Sequence, residues 1–224
     1  MNNILKLGAL AAVSTLVLAG CAANEEVVET ATSAASESTE TVVELTGTLN
    51  GSGASSMAAG QEAWIAAFQI ANPGMTVNYD PTGSGTGRAQ FMEGATSFTG
   101  SDSYWKDEEL LEAFPSCEAG TMPWEFPIWI SPIAVIFNLD GISSLNMDGA
   151  TVAGIFAGQI TMWNDAAIAA ANPGVALPDL QITAVHRSDE SGTSKNFTDY
   201  LAKVAENVWT VGAIEAWPAE YGGE

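Results

Sequence analysis

Three times in its first half the chain passes from an alternating, extended segment through glycines and hydroxyl residues into a helical pattern. Residues 46–50 read as a strand that enters Gly51-Ser52-Gly53-Ala54-Ser55-Ser56. The helix after it uses Ala63, Trp64, Ala67, Phe68 and Ile70 as apolar positions and is stopped by Asn72-Pro73-Gly74. Residues 75–79 alternate like a second strand, enter Thr82-Gly83-Ser84-Gly85-Thr86-Gly87-Arg88, and lead to a helix holding Phe91 and Met92. Ser97-Phe98-Thr99-Gly100-Ser101-Asp102 then points toward an acidic helix at 107–114. Repeated units of this kind specify an α/β fold, with a ligand at the carboxyl ends of the strands.

A fourth handover lies in the second half. Leu180-Gln181-Ile182-Thr183-Ala184-Val185 alternates as a half-buried strand does. A helix over about 191–207 follows, with Phe197, Tyr200, Leu201, Val204 and Val208 at three- and four-residue steps. Between them stands Arg187-Ser188-Asp189-Glu190-Ser191-Gly192-Thr193. This loop offers a guanidinium, hydroxyls, glycine-exposed N–H groups and the positive end of a helix, with Ser191 or Asp189 as the cap. Arginine presents a fork that fits two oxygens of a tetrahedral anion. Taken alone, the loop reads as an anion pocket or as an ordinary capped helix start; the three earlier loops of the same kind favour the pocket.

Nucleotide motifs fail on inspection. The fingerprint G-x-G-x-x-G is broken by Arg88 in one glycine run and by Ser56 in the other, and no G-x-x-x-x-G-K-[ST] occurs. Catalytic constellations are scarce as well. His186 is the single histidine, too few to build a His/Cys metal cluster, and no G-x-S-x-G elbow is present. His186 reads as a strand-end or pocket-side residue.

The formal net charge of -21, from 27 acidic residues against 6 Lys and Arg, excludes the basic surface that nucleic-acid binding needs. The front of the chain reads as a secretory leader. Lys6 precedes an apolar run over 7–18, too short for a comfortable span, and Leu18-Ala19-Gly20-Cys21 closes it. That tetrapeptide resembles a bacterial lipobox. The expected organisation is a signal peptide at 1–20, lipidation at Cys21, and an acidic flexible tether over 21–45 with no aromatic or basic residue. About 180 residues remain for the folded body. Cys117 has no candidate partner in the mature sequence. The apolar stretch from Trp124 to Asn138 reads as a buried strand or strand pair.

Taken in order, these motifs resemble the phosphate-binding lipoproteins of bacterial high-affinity phosphate ABC transporters, the PstS family of periplasmic-binding proteins. The resemblance runs from Leu45 to about Trp217. Its carriers are Gly51-Ser-Gly-Ala-Ser-Ser56, Tyr79 with Gly83-Ser84-Gly85, Gly100-Ser101-Asp102, Ile160-Thr-Met-Trp-Asn164, Asn172-Pro-Gly174 and Arg187-x-Asp189-x-Ser191-Gly192-Thr193-Ser194. It implies a two-lobed, type II periplasmic-binding-protein-like fold that closes over inorganic phosphate, with lobe I at 46–131 and an incomplete lobe II at 132–224. The stretch 126–138 resembles the first crossing between the lobes. Members continue well past this region, so the resemblance implies that a C-terminal part of the fold is missing here.

Carried over position by position, the resemblance implies phosphate contacts from Ser55, Ser56, Ser84, Asp102, Arg187, Asp189, Ser191, Gly192 and Thr193. Members often carry an aromatic at the place of Ser56, which implies a backbone contact there. Ser97 stands where members are frequently acidic and inherits no role. Asp189 is expected to orient Arg187, and Asp102, which can only accept, to sense the ligand's proton. The implied partners are the phosphate ion, the permease subunits and the outer face of the cell membrane through lipid alone, with the protein a monomer and no cofactor or metal. Other classes stay open: a binder of sulfate or molybdate, a secreted phosphatase, or a structural surface lipoprotein.

Overall fold

The computed structural model describes residues 44–221. The expected signal peptide, the lipidated Cys21 and nearly all of the tether lie outside the described residues. Three strands, β1 (Gly47–Gly53), β2 (Met75–Asp80) and β3 (Phe98–Gly100), form a parallel sheet in the order β2–β1–β3. β1 pairs from Gly47↔Met75 to Ser52↔Asp80 on one side and from Gly51↔Phe98 to Gly53↔Gly100 on the other. Parallel neighbours need a crossover. α1 (Ala58–Ala71) supplies the one between β1 and β2, and α2 (Ser84–Met92) the one between β2 and β3. This is the α/β arrangement that the repeated handovers call for, and it aligns the carboxyl ends of all three strands.

The second half holds α3 (Gly149–Phe156), α4 (Ala166–Ala171) and α5 (Gly192–Val204). Each begins at a side chain that accepts a backbone N–H: Asp148 from Thr151, Asp165 from Ala167 and Ser191 from Ser194. The Asp148 carboxyl is held below its usual range by these Thr151 hydrogen bonds. Ala153, Leu201, Ala205 and Trp209 form one core cluster, with Phe156, Phe197 and Trp217 packed against it. Phe156 meets Phe197 edge-on at 4.8 Å. Leu201 is fully buried, a burial that stabilises by about 1.5–3 kcal/mol. A second cluster of Phe91, Trp105 and Phe114 backs the first sheet, with Cys117 beside it as a free thiol.

Four expectations are corrected. Gly51, Ser52 and Gly53 are strand rather than loop, because they pair with β2 and β3; the turn begins at Ala54 and coils through a short 3-10 turn, Ser55–Met57. The acidic helix at 107–114 shrinks to one 3-10 turn, Glu109–Leu111; Pro115 cuts off any continuation and Phe114 turns into the second core cluster. The alternating stretch 180–185 makes only an isolated antiparallel bridge, Gln181 to Met162, since no neighbouring strand among the described residues extends the ladder.

The fourth correction is the largest. Residues 124–138 form no strand and are not core: Ile130 is 95 % exposed and Ile136 87 %. No backbone hydrogen bond among the described residues pairs this segment with another, and an unpaired extended chain has no ladder to join. Trp129 instead lies over α1, edge-on to Trp64 at 5.6 Å. The apolar positions of α1 are likewise largely in the open, with Ile70 82 % exposed, because Trp129 is a small cover for a 14-residue helix.

Candidate functional site

The carboxyl ends of β1, β2 and β3 face the start of α5, and the four loops meet there. Arg187 links them. Its Nη1 donates to Ser55 Oγ at 2.8 Å, while Nε and Nη2 donate to Asp189 Oδ1 and Oδ2 at 2.7 and 2.5 Å. This is a two-point fork, the geometry in which an arginine loses least freedom for each bond made. Both side chains keep about a third of their surface in solvent, so the pair contributes orientation more than stability.

Asp102 occupies the opposite side. Its Oδ1 accepts from Ser56 Oγ at 2.6 Å and its Oδ2 from Thr193 Oγ1 at 3.2 Å. Its N–H donates to Ser84 Oγ at 3.1 Å. Ser56 therefore meets the carboxylate through its hydroxyl. Ser84 and Ser191 are nearly inaccessible, and Ser191 Oγ accepts from Ser194 N as the cap of α5. Ser55, Ser56, Ser84, Asp102, Arg187, Asp189, Ser191, Gly192 and Thr193 are thus gathered in one place.

Two glycines let the loops approach this closely. A Cβ on Gly192 would stand 2.6 Å from Ser84 Oγ and 2.7 Å from Asp102 Cβ. Gly83 has φ +98°, and a Cβ there would meet Asp189 Oδ2 at 2.4 Å. Any larger residue at either position would push the sides apart. The first turns of α2 and α5 both open here, and helix starts present N–H groups without intrahelical partners. Gly85 N already donates across the site to Glu190 O at 3.0 Å. A cavity of about 720 Å³ adjoins Asp102 and Thr193 and is walled on its far side by residues 125–134.

Several residues that organise the site were given no contact role from the sequence. Asn196 Nδ2 donates to both Asp102 O and Gly192 O, at 2.7 and 2.8 Å, and so ties the two sides directly. Tyr79 donates its hydroxyl to Ala54 O, and burial together with the Asp102 charge pushes its pKa up to about 12. Arg88 is 1 % exposed behind the Asp102 loop. It donates to Ser101 and Ser103 through Nη1, to Glu109 through Nε and to Glu215 through Nη2. Desolvation alone would lower its pKa, but the Glu215 and Glu109 carboxylates outweigh it and raise the value. The available signal was sparsity: in a chain with 6 Lys and Arg, an arginine one helical turn after Ser84 falls on the same face of α2.

His186 lies beside the site as a packing residue. Its ring stacks on Trp217 with centroids 4.4 Å apart, and its Nδ1 is 2.9 Å from Arg187 O. Among the described residues no group of three or more His, Cys, Asp or Glu side chains is placed to hold a metal ion.

Residues 29–223 match the family model of the PBP superfamily domain. Phosphate-binding protein PstS 3 of Mycobacterium leprae is 44% identical over 165 residues, covering 74% of this chain and 44% of its own. PstS 3 of Mycobacterium tuberculosis is 39% identical over 218 residues, covering 96% of this chain and 58% of its own. A solved ABC-type phosphate transport receptor from Vibrio cholerae aligns with a TM-score of 0.48 and 19% identity, over 69% of this chain and 54% of that one. The chain spans about half the length of the curated relatives it matches.

Proposed function

The chain belongs to the PBP superfamily, and we propose that it is an extracytoplasmic phosphate-binding protein that captures inorganic phosphate for import by an ABC permease. The observation that carries this reading is the pairing of one guanidinium, fixed by Asp189, with one carboxylate, Asp102, across a ring of hydroxyls. The arginine and the helix starts favour an anion. The carboxylate repels an oxyanion unless that anion carries a proton to donate. HPO4 and H2PO4 ions meet both demands near neutral pH; sulfate, fully ionised, meets only the first. The hydroxyls of Ser55, Ser84 and Ser191 donate to the remaining oxygens, while those of Ser56 and Thr193 donate to Asp102 and hold its carboxylate in place.

Inside a closed site, a carboxylate that faces an unprotonated oxygen costs several kcal/mol. About 5 kcal/mol gives a preference of more than a thousandfold. Calorimetric titration with phosphate and sulfate tests this in the parent and in Asp102→Asn. The parent is expected to bind phosphate and discriminate against sulfate, and the variant to let sulfate compete. Equal discrimination in both would sink the role of Asp102.

The reading is of a binder and not an enzyme, since phosphate capture breaks no bond; turnover of a chromogenic phosphoester would count against it. Within it, residues 46–131 and 132–224 contribute the two walls of the site. Cys21 carries the lipid that holds a monomer at the outer face of the membrane, with 21–45 as its tether. Mass spectrometry of the membrane-extracted N-terminal peptide, in the parent and in Cys21→Ala, tests the anchor.

A further inference from the structure

Glu215 is held from two directions. Its main chain belongs to α5: its carbonyl accepts from Ser191 N at 3.2 Å, and the adjacent Ile214 N donates to the fully buried Thr198 Oγ1 at 2.9 Å. Its side chain belongs to the other wall. Oε2 accepts from Arg88 Nη2 at 2.8 Å and faces Lys106 Nζ at 3.5 Å, while Oε1 accepts from Ser103 Oγ at 2.5 Å. Ser103 Oγ in turn accepts from Arg88 Nη1 at 2.7 Å. Arg88 also reaches Ser101, so the residues on both sides of Asp102 hang from this one guanidinium. The side chain is 6 % exposed, and its hydrogen bonds and ion pairs go to Arg88, Ser103 and Lys106 rather than to the nine residues expected to contact phosphate.

We propose that Glu215 is a positioning residue, a latch that ties the loop of Asp102 to the start of α5 and so sets how long the closed site retains its anion. The inference rests on the phosphate reading above. The latch acts through other residues: by fixing Ser101 and Ser103 it fixes Asp102, and by holding Ser191 N it fixes the turn that presents Gly192 and Thr193. Exchanging the carboxylate for an amide leaves Arg88 with one acidic partner, Glu109, and leaves one neutral oxygen where two charged ones accepted from Arg88 and Ser103. A buried charge deprived of its partner is costly, and that cost falls mainly on dissociation rather than on encounter.

The test is stopped-flow measurement of inorganic phosphate release and capture by the parent, Glu215→Gln and Ser103→Ala. Circular dichroism and the ligand-free melting temperature report folding in each. Glu215→Gln is expected to release phosphate about tenfold faster, with an association rate constant within about twofold of the parent. Ser103→Ala removes one link without touching a charge, so its release rate should fall between the two. A residue that merely stabilised the fold would lower the melting temperature and the signal amplitude but leave the release rate constant of the folded molecules unchanged. Parental release by the folded variants would overturn the inference; if Glu215→Gln does not fold, Ser103→Ala alone decides it. A parent that binds no phosphate would instead overturn the functional reading, and the latch with it.

Discussion

Arg187 takes its direction from a residue two positions away, and Arg88 from residues scattered over half the chain. The first pairing is local, through Asp189, and can be anticipated from the spacing of a strand end, a cap and a helix start. The second joins positions 127 apart and leaves no local trace, which is why Arg88 and Glu215 escape a reading by motif. Their chemistry also predicts differently. Arg187→Ala should weaken phosphate binding by roughly 2–4 kcal/mol, the loss expected when one member of a charged pair is cut from a closed site. An unchanged dissociation constant would remove Arg187 from the site.

For Glu215 the effect extends to stability. Desolvation raises its pKa, but the Arg88 and Ser103 hydrogen bonds and the Arg88 and Lys106 charges outweigh it and bring the carboxyl down to about 2. A depressed folded-state pKa contributes stability that is complete above the ordinary glutamate value and is lost as pH falls toward 2. Urea midpoints measured at pH 6, 4 and 3 should therefore drop more steeply for the parent than for Glu215→Gln. Parallel curves would show that Glu215 does not titrate with unfolding.

At the scale of elements, helices were more legible than strands. Ser191 before Gly192–Val204 caps its helix as the sequence suggests, because a cap is a property of four consecutive residues. Ser191→Ala should cost about 1 kcal/mol of folding stability by this route alone, visible as a lower urea midpoint without phosphate. Strands depend on a partner that the sequence does not name. Gly51–Gly53 became strand because β2 and β3 offer ladders on both sides, whereas 180–185 found a single bridge and 124–138 no backbone partner among the described residues. The hydrophobic pattern was real in each case. What it could not convey was whether a neighbouring edge would be in place.

At the scale of the whole molecule the acidic surface and the site oppose one another. On the proposed reading, a net charge of -21 repels the anion that Arg187 would hold. Added salt screens this long-range repulsion more than contacts inside the site. Phosphate association should therefore quicken as ionic strength rises from about 0.01 to 0.15 M, with release little changed. A falling association rate over that range would show that the local field of the site dominates the approach.

Ser55 and Arg187 touch across 132 positions of sequence. Contacts of such long separation are slow to form, since a large loop must close before any return is gained. The chain must therefore be assembled at least as far as Arg187 before the two walls can meet, and a partly folded chain has no pocket to offer. In refolding experiments, phosphate-sensitive fluorescence should lag behind the recovery of helical signal. On the proposed reading, a chain that crosses a membrane as a thread passes through its early folding blind to its ion.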